Sequence, residues 1–100
     1  MKHYRLKLYV TGQTPRSRAA IRNLRRLIDE MIPDNCDLDI INVLEDPQAA
    51  EDDRILATPT LVKAFPLPQR RIIGDLSDSE KVQQGLEIDI EATDAPGGRL

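Results

Sequence analysis

The stretch LATPTLVKAFPLPQRRIIGDLSD, Leu56 to Asp78, carries most of the information about the fold. TLVKAF follows Thr58-Pro59 and reads as one strand, and RRIIG reads as the next. Pro66 and Pro68 hold the connection between them extended, because proline fixes φ and disfavours a helical residue before it. Beyond Gly74, Ser77-Asp78-Ser79-Glu80 has the spacing of a capping box and predicts a helix beginning at Asp78.

Upstream, Tyr4, Leu6, Leu8 and Val10 alternate with Arg5, Lys7 and Tyr9, the period of a strand with one strongly buried face. Thr14-Pro15 starts a helix: a side-chain oxygen caps the free amides, and proline occupies a position where its missing N–H costs nothing. Ile21, Leu24, Leu27, Ile28 and Met31 recur at helical spacing, with Arg18, Arg22 and Arg25 on another face, and Pro33 ends the run. Leu38 to Leu44 reads as a second strand, more apolar and so more central toward its end. Asp46-Pro47 opens a short surface helix with no apolar stripe.

The last element gives two signals. The capping box, with Val82, Leu86 and Ile90 four apart, asks for a helix, whereas Leu86, Ile88 and Ile90 alternating with Glu87, Asp89 and Glu91 ask for a strand. Gly85 weakens the helix at its middle by about 1 kcal/mol relative to Ala. Conflict of this kind marks either poor ordering or two competing structures. Residues 93–100 show no pattern and are expected to be a disordered tail behind a single domain over residues 1–92.

The order β-α-β-α-β-β-α, with a proline just before the third strand, is the plan of a thioredoxin-like α/β domain, in which that proline is usually cis. At the place where redox members carry their thiols, this chain reads Thr11-Gly12-Gln13-Thr14-Pro15-Arg16-Ser17, with no C-x-x-C. Its one cysteine, Cys36, lies among carboxylates in PDNCDLD, a loop setting that raises a thiol pKa. With a single histidine, no glycine-rich phosphate loop and no metal-ligand cluster, neither enzymatic chemistry nor a metal or cofactor is expected.

Charge narrows the partners. Of the 100 residues, the first 26 hold eight bases and no acid, residues 28–53 hold ten acids and no base, residues 54–71 are basic, and residues 75–94 are acidic apart from Lys81. Such blocks either give separately charged faces for oriented docking or neutralise each other across neighbouring elements. An arginine stripe without aromatic stacking, opposed by acidic blocks, argues against nucleic acid. No apolar run reaches the roughly 20 residues of a membrane span, and MKHYRLKLYV alternates apolar with charged residues, so a cytoplasmic location is expected.

KLYVTGQTPRS (Lys7 to Ser17), NVLEDPQAAEDDRILATPTLVK (Asn42 to Lys63) and PLPQRRIIGDLSDSEKV (Pro66 to Val82) resemble the KaiB family. The resemblance runs from about Tyr4 to Ile90. It implies a non-enzymatic clock regulator that binds the hexameric KaiC ATPase and modulates its phosphorylation cycle, with KaiA and an output histidine kinase as further partners. It also implies a metamorphic domain: a homo-oligomeric, dimeric or tetrameric ground state with the order β-α-β-β-α-α-β, exchanging with the thioredoxin-like form.

Tyr4, Pro59, Gly85 and Glu87 are its implied fold-switch positions, and Arg22, Arg54, Lys63, Arg70 and Arg71 are the candidate docking residues. Gly85→Ala is then expected to favour the form with a C-terminal helix and to speed partner binding. Asp37 and Asp39 depart from the family's less acidic second strand. A KaiB-like module acting on another kinase or ATPase in stress response, and a thioredoxin-fold redox or thiol-binding protein, are the alternatives.

Overall fold

The structure is a computed structural model and describes residues 3–87. Its elements run β1 (Tyr4–Val10), α1 (Pro15–Met31), β2 (Cys36–Asn42), α2 (Pro47–Asp52), β3 (Thr60–Phe65), β4 (Arg70–Ile73) and α3 (Ser79–Leu86), in the order the sequence predicts. The four strands form one sheet ordered β2-β1-β3-β4. β1 pairs parallel with β2 and antiparallel with β3, and β3 pairs antiparallel with β4.

The core lies on one face of the sheet. Tyr4, Leu6, Leu8 and Val10 pack with Ala20, Leu24 and Leu27 of α1, Leu61 of β3, and Val82 and Leu86 of α3. Fully burying a leucine of this kind contributes about 1.5–3 kcal/mol. Thr14 caps α1 by accepting from the Ser17 amide, with Pro15 in the first turn, as its sequence requires.

Four local expectations are corrected. Tyr9, on the other face of β1, is also buried at 1 % exposure, because the α2 segment covers that face. β2 spans Cys36–Asn42 rather than Leu38–Leu44, and it is an edge strand, not a central one. Its length is set by β1, from Tyr4 opposite Cys36 to Val10 opposite Asn42. The chain then turns on the Asn42 side chain, whose Oδ1 accepts from the Gly12 and Leu44 amides, so Leu44 points into solvent. Cys36 accordingly begins a strand instead of lying in a loop.

At the far end, the cap of α3 is Asp78, whose carboxylate accepts from the Lys81 amide, and not Ser77. Asp75 takes the Ser77 amide and Leu76 is buried with φ 63°, which carries the turn one residue further. The helical signal prevails as far as Leu86, and Glu87 stops the helix in the left-handed region at φ 59°. Ile88, Ile90 and the expected tail at 93–100 lie outside the described residues.

The charge blocks are partly neutralised between neighbours: Arg5 lies opposite Asp37 and Lys7 opposite Asp39 across β1 and β2. The Asp37 carboxylate is also 3.0 Å from His3 Nε2, and that of Asp53 is 3.1 Å from Lys7 Nζ.

Candidate docking surface

α2 has six residues, none of them fully buried, and its apolar contact with the sheet is limited to the half-buried Ala49 and Ala50 on the side that covers Tyr9. A helix this short does not persist alone in water. Charge and hydrogen bonds anchor it further. Asp53, its C-cap, accepts from Lys7 Nζ at 3.1 Å and from the Tyr9 hydroxyl in a short hydrogen bond. Burial first, and then the hydrogen bond and negative charge of Asp53, push the Tyr9 phenol well above its ordinary pKa. Burial opposes ionisation of Asp53, but the hydrogen bonds from Tyr9 and Lys7, with the charges of Lys7 and Arg71, outweigh it and hold the carboxyl below its ordinary value.

Arg54 follows in the left-handed region at φ 55°. The Arg54 amide donates to the Glu51 carbonyl at 3.0 Å and the Ile55 amide to the Ala50 carbonyl at 2.9 Å. These two bonds make a Schellman end to α2, with a non-glycine residue at the position that glycine usually fills. From β4, Arg71 Nη1 donates to the Arg54 carbonyl at 3.3 Å. The Arg54 side chain is exposed and makes no ion pair among the described residues.

Large apolar residues are exposed at the end of the sheet that the segment after Arg54 enters. Leu56 precedes β3 and is 95 % exposed, Ile73 ends β4 at 62 %, and Leu44 follows β2 at 69 %. The strand registers place all three at one end of the sheet. Leu44 lies at the β2 edge, away from β4, whereas Leu56 and Ile73 are exposed on the β3–β4 side where the Arg54 carbonyl is bound by Arg71, a setting suited to a protein partner.

The other expected docking residues separate. Arg70 and Arg71 are neighbours on β4 and point to opposite faces. Arg70 donates through Nε and Nη2 to Glu87 Oε2, at 3.2 and 3.1 Å, so it clasps the end of α3 while Arg71 serves the α2 face. Arg22 is exposed on α1, across the sheet from α2. Lys63 is 1 % exposed and is not on a surface: β3 is covered on both faces, and Lys63 lies opposite Leu6.

Of the implied switch positions, Tyr4 is a core residue, 2 % exposed. Pro59 is buried after a cis Thr58-Pro59 peptide, and its carbonyl accepts from the Gly74 amide at 3.0 Å. A Cβ on Gly85 would stand 2.7 Å from Ile72 Cδ1 and 3.2 Å from Cγ1. Gly85 is thus a point of close approach between α3 and β4, and Glu87 adds the ion pair to Arg70.

Hydroxyls occupy the place of the redox thiols. The side chains of Thr11 and Thr58 bond to each other, Ser17 Oγ accepts from the Thr11 amide at 3.1 Å, and Thr14 Oγ1 donates to Ser17 Oγ at 2.9 Å. Cys36 lies at the start of β2, and burial first, then Asp37, push its thiol up to about 11. At pH 8 its alkylation by iodoacetamide is expected to be about 100-fold slower than that of the denatured chain, following the thiolate fraction. Modification at the denatured rate would show that the start of β2 opens freely.

The anchoring of Asp53 by Lys7 and Tyr9 was not legible in the sequence. The one signal was that Lys7 and Tyr9, two apart on a strand, share a face.

The family model described as KaiB domain matches residues 7–88. The circadian clock oscillator protein KaiB of Synechococcus elongatus is 54 % identical over 87 residues, covering 87 % of this chain and 85 % of that protein. The circadian clock protein KaiB3 of Synechocystis is 51 % identical over 83 residues, covering 83 % and 81 %. Among solved structures, the N-terminal domain of SasA from Synechococcus elongatus superposes with a TM-score of 0.71 at 27 % identity, covering 89 % of this chain and 88 % of that one. Mitochondrial thioredoxin 3 of Saccharomyces cerevisiae superposes with a TM-score of 0.69 at 18 % identity, covering 87 % and 79 %, which establishes the thioredoxin-like fold alone. Matched by the family model over most of its length and about half identical to clock proteins of that name, the chain belongs to the KaiB family.

Proposed function

We propose that this KaiB-family chain is a non-enzymatic clock regulator that docks, in its thioredoxin-like state, on a hexameric KaiC-type ATPase and modulates its phosphorylation cycle. The observation that carries the reading is the exposed, unpaired Arg54, tied through its carbonyl to Arg71 of β4, with Leu56 and Ile73 exposed at the same sheet end, where thioredoxin-like redox proteins work with thiols and this chain holds hydroxyls. Arg71, whose Nη1 donates to the Arg54 carbonyl, extends the basic surface on the α2 side, whereas Arg22 and Arg70 lie toward the other face of the sheet. The likeness to the SasA N-terminal domain supports competition for one partner surface with an output histidine kinase. KaiA is a further partner in systems that have it. Among the described residues no helix is long and apolar enough to cross a membrane, in keeping with a cytoplasmic setting.

The free chain is proposed to rest in an oligomeric ground state that rearranges its C-terminal half, with Tyr4, Pro59, Gly85 and Glu87 setting the balance. A partner that binds only the thioredoxin-like state then associates slowly and with an affinity reduced by that state's population. Native mass spectrometry of the chain mixed with the KaiC-type ATPase of its own cell, in ATP, tests this directly. The expected result is a ring that slowly gains up to one copy per subunit while the free chain is oligomeric. A ring that stays bare in every nucleotide and phosphorylation state overturns the reading and turns the search to another kinase or ATPase.

A further inference from the structure

We infer that Asp53, held by Lys7 and Tyr9, is the positioning residue of the docking surface: it fixes α2 to the central strand so that Arg54 and Leu56 are presented in one geometry. The inference rests on the docking reading above and adds what builds the surface.

β1 lies between β2 and β3 in the sheet and is among its best supported elements. Asp53 is tied to it twice, through the Lys7 ammonium at 3.1 Å and through the hydroxyl of Tyr9, a residue 1 % exposed and so fixed in orientation. The Tyr9 hydroxyl also lies 3.4 Å from the Ala49 carbonyl, one turn earlier on α2. From Asp53 the constraint passes one residue along the chain. The Arg54 and Ile55 amides are bound back to Glu51 and Ala50, and the Arg54 carbonyl is bound by Arg71 of β4.

Residues 53–55 are therefore fastened to β1, α2 and β4 together. The exposed side chains left without such bonds here are Arg54 and, two residues on, Leu56 at 95 % exposure. The bonds in the cluster hold the Asp53 carboxylate and the backbone of residues 54 and 55, and the groups left outward are an anchor cation and an apolar contact. Surfaces preorganised in this way lose less conformational freedom on binding. With no fully buried residue on α2, little apolar burial backs up the Asp53 anchor.

The test is a double-mutant cycle on association with the ATPase ring, using Asp53→Asn, Arg54→Ala and the pair, with the fold of each variant checked by circular dichroism. Each single change is expected to weaken binding about tenfold, and the pair to weaken it by little more than either alone, because Asp53 acts through Arg54. Multiplying effects, about 100-fold for the pair, would overturn the inference, since a general loss of stability adds independently of Arg54. Tyr9→Phe keeps the buried ring and removes only the hydroxyl. It is expected to reproduce part of the Asp53→Asn effect even if that variant folds poorly. Weakening by Arg54→Ala with none by Asp53→Asn or Tyr9→Phe overturns the positioning role and leaves the docking reading standing. Binding unaffected by Arg54→Ala removes this surface from docking and the inference with it.

Discussion

Leu86→Ala is expected to release α3 from the sheet and to weaken partner binding through loss of the thioredoxin-like state. Leu86 is fully buried and, with Val82, makes up the whole buried face of an eight-residue helix. Together they close an apolar cleft with Leu6, Leu24 and Leu27. Truncating such a leucine costs about 2–5 kcal/mol. A helix this short is marginal by itself, and what remains at its ends is the Asp78 cap and the Arg70–Glu87 ion pair. Exposed pairs of that kind contribute about 0–1 kcal/mol. The lost burial is therefore expected to appear as local opening. Hydrogen exchange of the amides at residues 82–87 should accelerate by about two orders of magnitude, ahead of β1 and β3. Equal acceleration across the whole sheet would show that α3 opens only with the rest of the domain.

Much of this fold is legible because each strand and helix carries its own period and punctuation. The β1 alternation, the Thr14-Pro15 start and the prolines around β3 and β4 each specify an element locally, and each is where the sequence places it. The errors arise where a neighbour decides. Ile40 and Ile41 give β2 an apolar look, yet sheet order makes it an edge with Ile40 36 % exposed. Lys63 looks like a surface cation, but its strand is covered on both sides. Tyr9 and Lys7 look like the solvent side of β1 until Asp53, more than 40 residues on, meets both.

The docking surface was legible in part. Basic residues marked Arg54 and Arg71, but the left-handed backbone of Arg54 carries no sequence signature, since glycine or asparagine would be the expected occupant. The opposed helix and strand signals around Leu86 differ in kind from these errors. Within the described residues the helix prevails, and the glycine at its centre is explained by how closely the helix approaches β4.

That approach reverses the simple expectation for Gly85→Ala. Helix propensity alone favours the substitution by about 1 kcal/mol, and a stiffer unfolded chain acts in the same direction. In the structure the new methyl would stand 2.7 Å from Ile72 Cδ1, closer than carbon atoms approach without displacement. Ile72 lies opposite Leu61 on the core side of β4, so its end methyl has to swing outward or α3 has to lift. An off-rotamer torsion costs about 0.5–1.5 kcal/mol, and overpacking about 1–3. Gly85→Ala alone is therefore expected to leave the thioredoxin-like state unchanged or destabilised by about 1 kcal/mol, without faster association with the ring. Ile72→Val removes Cδ1 and with it the nearer contact. In that background Gly85→Ala should recover its helical gain, giving a coupling of about 1–2 kcal/mol in a urea-denaturation cycle and faster binding than Ile72→Val alone. Full stabilisation by Gly85→Ala with no coupling would mean that Ile72 yields freely, and that chain entropy, rather than contact with β4, sets the balance at Gly85.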